Sequence, residues 1–235
     1  MYSWLLVAAA LAGLAVAVRV LMIWQRQPAN LLLFTIVALA AVSVGCLLAG
    51  LGATIGPGDL LREWWAVPIL IGIFAFPLTL FTHATLSRRI GFAWARIDWG
   101  HGTLCLIAVA LLLNGLREVP ALRLLEPACW QDVRWYQHAV PAAFRCAGTE
   151  PAALVSLPPL ALLAALGAWA GLGLGLRRER PAFAAAMAVS LILVVLAPAA
   201  GPLPWFVGQV LGFSAIAWLT GTYAGKLGTA HSIPD

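Results

Sequence analysis

Charge is scarce in this sequence. Fourteen Lys and Arg and nine Asp and Glu make up 10% of 235 residues, too few to coat a soluble globule of this size. A disordered chain is excluded for the converse reason: it needs high charge and few large apolar groups, whereas 63% of these residues are hydrophobic and the mean hydropathy is +0.95. Lysine is nearly missing. Lys226, the only one, follows the last apolar run, so a retinal Schiff base in a seventh helix is excluded. No acid stands in the central part of any long apolar run, which speaks against proton- or cation-coupled transport. The four cysteines show no CxxC, CxxCH or Cys/His spacing, so neither a zinc ribbon nor covalent haem attachment is supported, and no metal site is expected.

What the chain has in quantity is apolar length. A hydrocarbon core about 30 Å thick takes roughly 20 residues at 1.5 Å each, and seven runs of that order occur, near Tyr2–Ile23, Leu31–Ile55, Trp64–Leu86, Asp98–Leu116, Ala152–Leu176, Pro181–Ala200 and Leu203–Tyr223. The expected fold is all-α: one polytopic membrane bundle over residues 1–235 with about seven transmembrane helices. The last two runs are separated only by Gly201-Pro202-Leu203-Pro204, read as a tight turn between two spans. No basic group precedes the first run, the reverse of a signal peptide, so that segment is read as a retained helix.

Alternation from an external N-terminus puts Arg19, Arg26, Arg88, Arg89, Arg96, Arg177, Arg178, Arg180 and Lys226 inside, with Arg62, Arg117, Arg123, Arg134 and Arg145 outside. Nine against five satisfies the positive-inside rule: N-terminus outside, C-terminus cytoplasmic, in a multi-pass protein expected in a bacterial inner (plasma) membrane. The net charge of +5 then reflects topology and contact with anionic lipid, and gives no reason to invoke nucleic acid.

Residues 117–151 form the one long loop, an extracytoplasmic cap by this count. Cys129 and Cys146 both lie in it, and a bridge between them is expected, worth on the order of 3 kcal/mol in the chain-entropy model. Trp130, Val133 and Tyr136 or Gln137 recur at roughly helical spacing, which predicts a short interfacial helix. Asp132, Arg134 and His138 beside them form a candidate outer site; the plainer alternative is a disulfide-pinned cover. Cys46 and Cys105 fall inside apolar runs, as packing residues.

Small residues every fourth position, Gly167, Gly171 and Gly175 on the fifth span and Ala41, Gly45, Ala49 and Ala53 on the second, predict close helix packing. Pro68 and Pro77 predict kinks in the third. Of the eleven tryptophans, Trp4, Trp64, Trp65, Trp94, Trp99 and Trp205 fall at span ends, in the headgroup belt; Trp169 and Trp218 lie deeper, as packing.

Ionisable groups cluster at the inner ends of the third and fourth spans. His83 and His101 stand at similar depth on consecutive spans, with Arg88, Arg89, Arg96 and Asp98 between them. As a structural feature this is a cytoplasmic anchor. Three functional readings compete with it. Two histidines can ligate a b-type haem or chlorin whose propionates meet the arginines. The arginines can hold a phosphorylated lipid for an enzyme using histidine and Asp98 as acid and base. The third needs the fewest additional groups: a bundle that binds lipids or other membrane subunits, in transport, in assembly or as an accessory subunit.

Overall fold

The computed structural model describes residues 2–56, 58–137, 144, 146 and 160–224. It is an all-helical membrane bundle: α1 Tyr2–Arg26, α2 Asn30–Ile55, α3 Asp59–Ile90, the short α4 Ala93–Arg96, α5 Asp98–Glu118, α6 Leu160–Gly175, α7 Pro181–Ala200 and α8 Pro202–Thr222. Five of these, α1, α2, α3, α5 and α8, are long and apolar enough to cross a membrane, and α6 and α7 are shorter apolar helices. Gly201, at φ 94°, makes the turn between α7 and α8, which pack on each other. The first part of the expected fifth span, residues 152–159, lies outside the described residues.

The helices α2, α3, α6, α7 and α8 follow one another round a ring that α2 and α8 close, with α1 laid against α2 and α8 and α5 against α3. In lipid the hydrophobic effect does not drive helices together, so close approach and interhelical hydrogen bonds hold them. Thr35 of α2 bonds Thr220 of α8 (3.2 Å), Thr82 of α3 donates to the Leu31 carbonyl (2.8 Å), and Ser190 of α7 donates to the Gly208 carbonyl (2.8 Å).

Of the glycines that the repeat pattern singles out on α6, Gly175 is closely approached, by the Phe92 ring. Gly167 and Gly171 are exposed with open space where a Cβ would stand. Helix backbones come close at Gly50 of α2, where a Cβ would stand 2.7 Å from the Ser3 carbonyl oxygen, and at Gly208 of α8, where it would meet the Ser190 carbonyl oxygen at 3.0 Å; a Cβ on Gly212 would strike the Ser190 hydroxyl. On α2, Ala41 and Ala49 are buried as expected, and Gly45 faces Pro68 loosely, at 4.0 Å from a built Cβ. Pro68 and Pro77 both lie inside α3, which runs unbroken from Asp59 to Ile90. Trp65 is buried in the bundle, 4% exposed, while Trp218 is 46% exposed under the Arg19 guanidinium (4.7 Å to the ring).

In place of an interfacial helix, the loop forms a hairpin. β1 Glu126–Trp130 pairs antiparallel with β2 Val133–Gln137, with Cys129 opposite Arg134 and Trp130 opposite Val133. The residues that suggested a helical period are the ends and alternate positions of two strands. Val133, Trp135 and Tyr136 are buried, and β-branched and aromatic side chains of this kind favour a pleated surface.

Candidate functional site

The hairpin is clamped to the bundle at several points. Both the backbone N–H and the hydroxyl of Ser3 donate to Asp132 Oδ2, at 3.2 and 2.9 Å. The amino terminus first, and then these Ser3 donors, hold the Asp132 carboxyl well below the usual carboxylate range. Tyr136 spans the α2–α3 connection, its hydroxyl donating to the Gly58 carbonyl and accepting from the Gly58 N–H, both at 3.0 Å. Arg134 sets its backbone oxygen where a Cβ on Gly52 would stand 2.6 Å away. Trp130 lies against Tyr2, rings tilted at 56° with centroids 5.0 Å apart, and covers Gly201. The disulfide Cys129–Cys146 is formed, with Cα atoms 4.9 Å apart. Asp132 and Arg134 of the candidate outer site therefore belong to the clamp; His138 lies outside the described residues.

Beneath this cap is a cavity of about 850 Å³. Its walls are mostly apolar: Gly45 of α2; Trp65, Pro68, Gly72 and Phe76 of α3; Leu111 and Gly115 of α5; Ala161 of α6; and Trp205 and Phe206 of α8. Trp135 of β2 and Phe144 close the cap side, their rings 5.8 Å apart, and Trp135 also meets Phe206 at 6.4 Å. Gly45 leaves open space at its helix face, a built Cβ standing 4.0 Å from Pro68, whereas Gly72 and Gly115 admit the Phe76 ring and the Ile73 side chain against the backbone. Polar groups are few and placed: Asn114, Arg117, Glu118 and Gln137 toward the cap, and Gln209 on α8. An apolar pocket with a few convergent polar groups is the usual form of a small-molecule site, commonly roughly 300–1,000 Å³.

The inner cluster is partly assembled. The His83 ring lies nearly parallel to Trp94 of α4 (5.7 Å, 20°) and edge-on to Trp169 of α6 (5.1 Å, 85°). Neither imidazole nitrogen makes a hydrogen bond, nor do the buried Ser87 hydroxyl and Trp169 indole N–H; the Ala168 backbone approaches the ring without completing one. His83 is buried, 3% exposed, between the Trp94 and Trp169 indoles. His101 has its Nδ1 3.7 Å from Cys105 Sγ, one turn along α5. Arg88 meets Asp98 at 3.6 Å with both side chains exposed, a pair of little energetic weight. Arg96 folds over Gly91, and Arg89 is half-buried. Among the described residues no group of three His, Cys, Asp or Glu could hold a metal ion.

The cavity went unmarked in the sequence because its lining comes from scattered positions on six long helices and the cap. One local signal was present: Asn114, Arg117 and Glu118 fall at i, i+3 and i+4, on one helix face. Comparison with known protein families, with curated proteins and with solved structures found no match.

Proposed function

We propose that this protein is a lipid-binding bundle that receives an amphiphile in the cavity beneath the cap. The cavity itself carries the reading: about 850 Å³ of mostly apolar space within a membrane bundle, with polar groups gathered at its cap end. In this reading the chain is a multi-pass protein of a bacterial plasma membrane that crosses it seven times, with the cap and N-terminus outside. The acyl part of the ligand lies against Gly45, Gly72, Phe76 and Leu111. Its polar part meets the outer interface. With no acid in the central part of any span, ion-coupled pumping lacks its usual carboxylate. Binding and presenting lipid, to another subunit or across the outer interface, is the activity this architecture serves.

Filling the cavity tests the reading. A Cβ on Gly45 meets only Pro68, at 4.0 Å, so Gly45→Leu places its side chain in the space without disturbing a helix contact. Purified in mild detergent, this variant should retain about tenfold less co-purifying lipid by native mass spectrometry, and Ala161→Phe should behave alike. Gly167→Leu, on an open exterior face, should retain as much as wild type. Equal retention in folded Gly45→Leu and Ala161→Phe would overturn the proposal.

A further inference from the structure

The cavity is asymmetric in charge, and the asymmetry lies on one element. Helix α5 contributes Leu111, Asn114, Gly115, Arg117 and Glu118 to the lining. The helix runs toward the cap, so Leu111 lies deepest, Asn114 and Gly115 about one turn further on, and Arg117 and Glu118 nearest the interface. A space apolar below and charged above fits an amphiphile entering tail first.

Arg62 pairs with Asp59 and Arg88 with Asp98, and among the described residues neither Arg117 nor Glu118 has an ion-pair partner. Glu118 is also the last residue of α5, a helix end whose carbonyls carry partial negative charge and disfavour an acid. Arg117 suits that helix end, yet a basic residue on the outer side runs against the positive-inside bias. An acid and a base, adjacent and both facing the cavity mouth, complement a ligand that carries both signs.

We infer that the cavity selects a zwitterionic phospholipid, with its phosphate on Arg117 and Asn114 and its ammonium on Glu118. This rests on the lipid-binding reading and specifies its ligand. Guanidinium and side-chain amide donate to phosphate oxygens, and the carboxylate accepts from, or lies against, the ammonium. An anionic headgroup without an ammonium leaves Glu118 facing like charge. A neutral diacylglycerol forgoes both contacts.

Delipidated protein titrated by native mass spectrometry with phosphatidylethanolamine, phosphatidylglycerol and diacylglycerol of identical acyl chains tests this. Phosphatidylethanolamine should bind about tenfold more tightly than phosphatidylglycerol, as expected for one charge-assisted contact. Glu118→Gln should bring the two together, and Arg117→Gln should weaken both phospholipids while sparing diacylglycerol. Equal affinities in the wild type, or an unchanged ratio in Glu118→Gln, would overturn the headgroup assignment alone. If none of the three lipids bound, or Gly45→Leu left all three affinities intact, the lipid-binding reading would fall with it.

Discussion

Gln131 is the one non-glycine residue at positive φ among the described residues, at 52°. It is the first of the two residues that turn β1 into β2, where a hairpin's twist favours left-handed backbone and glycine is its natural occupant. A side chain in that region costs about 1–2 kcal/mol. Gln131→Gly should therefore raise the melting temperature in detergent, by about 2 °C if part of that strain is recovered; a fall would mean that the glutamine side chain holds the turn. At this scale the sequence misled through coincidence. Trp130, Val133 and Tyr136 are spaced as one helix face is spaced, yet Val133 and Trp135 are also two apart, and in a stretch this short both periods fit. The Cys129–Cys146 pairing was legible, because two cysteines alone in one loop have one partner each. The enclosure of His83 by Trp94 and Trp169 was not, since no local pattern brings α4 and α6 to the same ring.

Helices were the legible elements: a run of twenty apolar residues bounded by Arg, Gly or Pro has one solution in a bilayer. Which faces meet was far less so. Small residues every fourth position mark a smooth face, and a smooth face can lie against a helix or against lipid. Gly208 and Gly212 lie against Ser190 of α7, whereas Gly167 and Gly171 face outward. Alanine scanning should separate them. Gly208→Ala should destabilise by about 1–3 kcal/mol, because the added methyl meets a backbone carbonyl and the Leu193 and Val194 side chains. Gly171→Ala should be neutral or favourable by up to about 1 kcal/mol, the ordinary helix preference for alanine. Thermal unfolding in a single detergent measures both. A larger loss at Gly171 than at Gly208 would place the functional contact on the outward face of α6.

The whole molecule joins its N-terminal segment to its cap, and this constrains orientation. Ser3 bonds Asp132, Tyr136 bonds Gly58, and Trp130 covers Gly201, so the starts of α1, α3 and α8 gather at the cap. The Arg177–Arg180 turn between α6 and α7, and Arg88, Arg89 and Arg96 around α4, stand at the far ends of their helices. The charge count taken from sequence and the three-dimensional arrangement thus describe one axis, with the disulfide at one pole and the arginine-rich turns at the other. We propose that the disulfide pole faces an oxidising exterior and, by the positive-inside rule, the arginine pole the cytoplasm. Single cysteines at exposed Asp59 and Glu179, in a Cys105→Ala background that keeps the disulfide, read this directly. A membrane-impermeant thiol reagent added to intact cells should label Asp59→Cys and reach Glu179→Cys only after lysis. The opposite labelling would invert the axis and put the cavity mouth, with Arg117 and Glu118, at the cytoplasmic leaflet; the ligand would then have to be drawn from the lipids of that side.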